Sequence, residues 1–220
     1  MTCYPTVFLL LDFQNDLCHE EGIYNKHGIS PAVIQPILQN TINSINFCKE
    51  NNIPVIATQM TILTDLHNQA IGLESLKQSR PFLEKEGFRE GTWGHDILEG
   101  LPSIIYKIRK WGSSAFFHTE LERYLCAFQT NELILSGFTT NGIVESVARE
   151  ARCRNYKITT LTDCVTSYSD SLHNSSLSNL ATMGQIMKSS EWKKQHYESL
   201  GIDLENKIID TKKNNITKSL

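Results

Sequence analysis

Three separated segments carry polar side chains just past apolar runs, an arrangement from which an acid–base or nucleophilic site can be assembled. Asp12 follows Leu9-Leu10-Leu11 and precedes Phe13-Gln14-Asn15-Asp16. A carboxylate there can take up or hold a proton, or serve only as a loop cap at a strand end. Asp16 fits a local capping or turn role. Lys110 opens Lys110-Trp111-Gly112-Ser113-Ser114-Ala115-Phe116 and can steady developing negative charge. Its neighbours Lys107 and Arg109 fit solvated positions at a strand end. The third segment, Gly137-Phe138-Thr139-Thr140-Asn141-Gly142-Ile143-Val144-Glu145-Ser146, follows the apolar Leu133-Ile134-Leu135. It reads as a strand, a tight polar turn and a helix opening. Ile143, Val144, Val147, Ala148 and Ala151 recur at helical spacing, with Thr140 or Asn141 as the expected N-cap. A first-turn side chain there sits among unpaired N–H groups in a positive field, which lowers the pKa of a thiol. Position 143 is isoleucine, which has nothing to ionise.

The elements that must hold these segments alternate along the chain. Strands are expected over 7–12, 54–58, 103–107, 132–136 and 157–161, and helices over 31–51, 120–130, 141–155 and 170–187. Ser30-Pro31 is a good helix start, because proline is tolerated in the first turn. Short apolar strands separated by longer amphipathic segments predict a parallel sheet covered on both faces. Ligands in such sheets bind outside the carboxyl ends of the strands. Asp12, the 137–143 turn and Lys110, a few residues beyond its expected strand, converge on that edge. Residues 59–95 are long and polar for a connection; they predict a mixed loop with short helices that shapes a pocket or a subunit contact. From Gly201 onward the chain is lysine- and asparagine-rich, which divides it into a domain over 1–200 and a solvated tail over 201–220.

Composition bounds the class. A 220-residue chain suits one large α/β domain. Hydrophobic content of 40% and charged content of 20% are ordinary for a soluble protein. A net charge of −3 gives no electrostatic reason to expect nucleic acid as a partner. No apolar run approaches the roughly 18 residues of a membrane span, and the N-terminal residues lack a leader pattern, so a cytoplasmic location is expected. The six cysteines (Cys3, Cys18, Cys48, Cys126, Cys153, Cys164) show no metal-ligand spacing and read as small hydrophobes. Cys164, after a strand that ends near Asp163, is the weaker alternative for a nucleophile at the ligand edge. His95, His118 and His173 are isolated and read as packing or surface residues.

Together the blocks resemble the isochorismatase-like cysteine hydrolases, over about residues 6–190. The family's turn, roughly G-V-x-T-N-x-C-V-E-S-T-A-R-D-A, aligns without gaps so that its cysteine falls on Ile143. Asp12 matches the catalytic aspartate, and Lys110 the lysine of a K-x-R-x-S-A-F-x-x-T-x-L block whose arginine is here Gly112. The run Gly91-Thr92-Trp93-Gly94-His95-Asp96-Ile97, and Tyr156-Lys157-Ile158 through Asp163, also fit. The resemblance implies a three-layer α/β/α sandwich with a mainly parallel sheet of roughly five to six strands. It implies that the aspartate takes the thiol proton, the lysine supports charge and the thiolate attacks an amide-type carbonyl. It further implies oxyanion donors at the backbone N–H groups of Thr139 and Ile143, and a cis peptide at Phe138–Thr139. Phe13, Trp93, Trp111 and Phe138 are candidate pocket residues, although both tryptophans fit a packing role equally. Nicotinamidases of this superfamily carry a D-x-H motif plus a second histidine; Asp65 and His67 lie later than that and lack the second histidine, so neither metal nor cofactor is expected. A small-molecule ligand and a homo-oligomer are implied. Without the cysteine, amide hydrolysis is expected to be impaired with binding retained. The alternative is a cysteine-independent hydrolase, acting on a vinyl ether or through water activated by Asp12. A purely structural subunit is the remaining reading.

Overall fold

The computed structural model describes residues 3–202; most of the expected tail, residues 203–220, lies outside them. The chain opens with β1 (Thr6–Leu11), two single-turn helices, α1 (Asn15–Cys18) and α2 (Ile23–Lys26), and the long α3 (Gln35–Glu50). After β2 (Val55–Met60) come a small hairpin, β3 (Leu63–Thr64) and β4 (Ala70–Ile71), and α4 (Glu74–Ser79). β5 (Tyr106–Lys110), α5 (Leu121–Phe128) and β6 (Glu132–Phe138) follow. A π-helical turn (Thr140–Val144) runs into α6 (Glu145–Cys153), and β7 (Lys157–Thr166), α7 (Asp170–Ala181), β8 (Gln185–Met187) and α8 (Ser189–Ser199) complete the order.

Six parallel strands form one sheet in the order β5-β2-β1-β6-β7-β8. β1 is central, and its residues show why. Phe8 and Leu10 enter the core shared with α3 and α8, while Val7, Leu9 and Leu11 enter the core shared with α5, α6 and α7. Each such side chain contributes about 1.5–3 kcal/mol on burial, so a strand apolar on both faces belongs in the middle of a sandwich. The chain leaves β1 for β2 and β5 on one side, then returns through β6 to β7 and β8 on the other. The reversal lies between β1 and β6, and the crevice at their carboxyl ends is the ligand position of open α/β sheets.

Several expected boundaries move. β5 begins three residues later than expected, because Ile105 is 85% exposed and pairing with β2 starts only at Tyr106↔Ile56. As an edge strand it buries only Ile108 and Lys110, so an apolar run is a poor guide to it. Lys110 is therefore the last residue of a strand, rather than a loop residue beyond one. β7 continues past 161, through a register shift opposite Leu135–Gly137, and takes Asp163 and Cys164 into the sheet. The expected helix 170–187 stops at Ala181, and residues 185–187 become β8. Gly184 makes that turn possible, since a Cβ there would meet the Ile158 carbonyl oxygen at 2.3 Å. α8 was not expected at all; Trp192 anchors it, packing tilted against Phe8 and edge-on to Phe47 with ring centroids 6.0 and 5.1 Å away. The helix expected from Pro31 begins instead as a 3₁₀ turn over Pro31–Ile34, capped by Ser30 Oγ accepting the Ala32 N–H at 3.2 Å, and becomes α-helical only at Gln35.

Candidate active site

Asp12 is the residue after β1, in a left-handed conformation (φ 57°) that turns its carboxylate back over the sheet edge. Thr58, beside Leu11 on β2, both donates to Asp12 Oδ1 at 2.6 Å and accepts the Asp12 N–H at 3.1 Å. Lys110 reaches across from the end of β5 and places Nζ 2.7 Å from Asp12 Oδ2, with a second bond to the Gly112 carbonyl at 2.6 Å. The lysine is 2% exposed. A buried ion pair is tolerated when its geometry is good and further hydrogen bonds satisfy it, which Thr58 and Gly112 provide. Thr58 carried no mark in the sequence beyond being a hydroxyl at the end of an apolar strand.

The residues after Asp12 hold the loops around it. The Gln14 amide donates to the Met60 and His95 carbonyls at 3.0 and 2.9 Å and accepts the Met60 N–H at 2.7 Å. Asn15 Nδ2 donates to the Trp93 carbonyl at 2.8 Å, and its Oδ1 accepts the Glu99 N–H at 2.9 Å. Asp16 takes the turn role expected of it, accepting N–H groups of Ile23 (3.3 Å) and Phe88 (2.6 Å). In the Lys110 block, Ser114 accepts two backbone N–H groups and Thr119 Oγ1 accepts the Leu121 N–H at α5. Ala115 and Phe116 are core residues.

The third segment arrives at the same edge because β6 lies unusually close to β1. A Cβ on Gly137 would meet Leu11 Cβ at 2.5 Å and its carbonyl oxygen at 2.7 Å, so only glycine fits. The Phe138–Thr139 peptide is cis, as the resemblance implied. The turn that follows is π-helical, a local form often found at functional sites. Neither Thr140 nor Asn141 caps it: Thr140 Oγ1 lies 2.8 Å from His173 Nδ1, and Asn141 Oδ1 accepts from Ser167 at 2.5 Å. The Thr139 carbonyl accepts the N–H groups of Gly142 and Val144 at 3.2 and 3.3 Å, which leaves those two donors occupied.

A cavity of about 420 Å³ opens over this edge. Asp12, Lys110, Thr139 and Ile143 all line it, together with Trp111 and Phe138. Phe13 does not; it is fully buried in the core on the α3 side. Trp93 does not either, being 38% exposed with its indole donating to Glu99 at 2.6 Å. The remaining wall includes Tyr24, Arg80, Phe88 and Tyr168, which the sequence did not single out. No cysteine lines it. Cys164 is buried 3.8 Å from Ser44, and burial pushes its thiol up to about 12. Cys18 sits 3.8 Å from the Asp12 carbonyl, and burial raises its thiol as well. Asp65 caps the β3–β4 hairpin by accepting the N–H groups of His67 and Gln69 at 2.8 and 2.9 Å.

An isochorismatase domain family model matches residues 6–191. Nicotinamidase 3 of Arabidopsis thaliana is 25% identical over 154 residues, covering 68% of this chain and 74% of that protein. A second Arabidopsis thaliana protein, named "probable inactive nicotinamidase", is 24% identical over 184 residues, covering 81% and 89%. Among solved structures, an isochorismatase-like hydrolase from Alkaliphilus metalliredigens has the same fold, with a TM-score of 0.72 at 22% identity over 86% of this chain and 98% of that one. The family match spans every strand of the sheet among the described residues: the chain belongs to the isochorismatase family.

Proposed function

We propose that this chain binds a small amide, acid or ureide in the 420 Å³ cavity and lacks the covalent cysteine chemistry of its superfamily. One observation carries the reading. The cavity that contains the Asp12–Lys110 pair is lined at the nucleophile turn by Ile143 and by no thiol. A nucleophile acts as part of a unit with its base, so its loss removes most of the catalysis even when the base remains. Backbone donors do not depend on the side chain. The N–H groups of Thr139 and Ile143 can still bind a carbonyl oxygen, while those of Gly142 and Val144 are occupied. The name of one relative, a "probable inactive nicotinamidase", is in keeping with lost activity within this family.

A second reading is favoured by the placement of the Asp12 carboxylate against open cavity, where a water could reach it. In that reading Asp12 moves a proton for direct attack by water or for cleavage of a vinyl ether, and Lys110 balances its charge.

The test is product formation, followed by mass spectrometry, from a panel of small amides, ureides and isochorismate. Wild type is compared with Ile143→Cys and with Ile143→Cys/Asp12→Asn. Turnover only in Ile143→Cys, lost in the double variant, is the expected result. Turnover by wild type that Asp12→Asn abolishes would establish the second reading in its place.

A further inference from the structure

The charges lining the cavity do not balance. Asp12 and Lys110 neutralise each other at 2.7 Å, and Arg80 is the third charged group. Among the described residues Arg80 has no carboxylate partner. One nitrogen donates to the Ser79 carbonyl at 2.7 Å, and the guanidinium lies 5.7 Å from the centre of the Tyr24 ring. A guanidinium has five N–H donors, so the Ser79 carbonyl and a bond to the Tyr24 hydroxyl leave donors free for a ligand. A second unmet group lines the same cavity: among the described residues the buried Tyr168 hydroxyl has no hydrogen-bond partner. A buried hydroxyl left unpaired is costly, and such groups in native proteins call for a partner. Tyr24, which the guanidinium overlies, and Tyr168 line the same cavity as Arg80.

We infer that Arg80, Tyr168 and Tyr24 form an anion subsite in this cavity, and that its ligand is a small monocarboxylic acid bearing a second, neutral polar group. The inference rests on the cavity reading above and adds the ligand class to it. An acceptor-rich anion suits unmet donors. One unbalanced cation matches one negative charge, whereas a phosphate dianion would exceed it. Leu73, Leu76, Leu83 and Phe88 line the same cavity and favour a short apolar spacer between the two polar ends. The neutral end then falls to Lys110 and the turn at 139–143. Arg80 is thus a specificity-determining residue rather than a catalytic one.

Calorimetry on the full chain with succinamate and succinamide, two ligands of equal size that differ by one charge, tests this. Wild type is expected to bind succinamate about tenfold more tightly, as charge-assisted guanidinium–carboxylate bonds imply. Arg80→Gln is expected to remove the preference, Arg80→Lys to keep part of it, and Tyr168→Phe to weaken succinamate alone. Equal affinity for both ligands in wild type, a preference that survives Arg80→Gln, or no binding of succinamate would each overturn the subsite. A preference that depends on Arg80 but is indifferent to Asp12→Asn/Lys110→Met would instead preserve the subsite and remove those two residues from the binding site.

Discussion

Lys110 and Asp12 stabilise each other, and neither is easily lost alone. Removing the lysine leaves a carboxylate buried with only Thr58 to satisfy it, a loss that typically costs about 3–5 kcal/mol. Lys110→Met should therefore lower urea stability by that order, and adding Asp12→Asn should restore most of it. If the single and double variants are equally unstable, the contact at 2.7 Å is not what holds this edge. Ile143 is different in kind, because it is 4% exposed and belongs to the core shared with α5, α6 and α7. Replacing it with cysteine deletes buried methyl groups, and about 1–2 kcal/mol is expected to be lost by analogy with other large-to-small core changes. An introduced thiol thus carries a stability cost that denaturation of Ile143→Cys will measure. Tyr168 runs the other way. Its hydroxyl has no partner among the described residues, so Tyr168→Phe should leave the thermal midpoint unchanged or raise it, even as it weakens ligand binding.

Elements bring these residues together through close backbone approach rather than through side-chain pattern. β6 delivers the turn at 139–143 beside Asp12 only because Gly137 leaves room for Leu11. Gly137→Ala would force the two strands apart, with overpacking expected to cost about 1–3 kcal/mol and to loosen the site beyond it. Amide hydrogen exchange should then rise in β1 and β6 while α3 and α8 stay protected; uniform exchange would mean the strands were not the point of strain. Much of this level was legible in the sequence. Fully apolar strands such as β1 and β6 announce themselves, as do the polar residues that end them. Edge elements do not: β5 was displaced because half of it faces solvent, and β8 was hidden inside an expected helix because three residues carry too little pattern. The cavity wall was harder still. Arg80 and Tyr168 come from connections and Tyr24 from the single-turn α2, and no periodicity links an arginine after α4 to a tyrosine beyond β7. Phe13 and Trp93 were proposed as pocket residues for being aromatic near motifs. One instead packs in the core, and the other pairs with Glu99 at the surface.

Over the whole molecule, groups buried in their neutral forms limit stability at both ends of the pH scale. Burial pushes His95 below its ordinary value of 6.5, against the pull of Glu90, Asp96 and Asp16. The hydrogen bonds agree. Thr61 Oγ1 donates to the Gln59 carbonyl at 3.1 Å, so it accepts from His95 Nε2 at 2.8 Å, and His95 Nδ1 faces the Gln59 amide nitrogen at 3.5 Å as an acceptor. A proton on Nδ1 would point donor at donor. His173 is lowered too, chiefly by burial. The unfolded chain thus binds more protons than the folded one below 6.5. The stability from both histidines is present above that pH and is lost as the pH falls toward their folded values. The alkaline side has the opposite sign. Burial raises Cys18, Cys48 and Cys164 above their ordinary 9.0, so their contribution is present below that pH and is lost as the pH climbs, with the lowered Lys193 and Arg89 opposing. Urea unfolding under reducing conditions at about pH 5.5, 7.5 and 9.5 should therefore trace a dome, in which the midpoint moves and the slope with denaturant does not. His95→Gln should lower the summit, because the Thr61 bond is lost, and should also flatten the acid limb. A variant with a lower summit but an unchanged acid limb would assign that limb to His173, or to carboxylates outside this network.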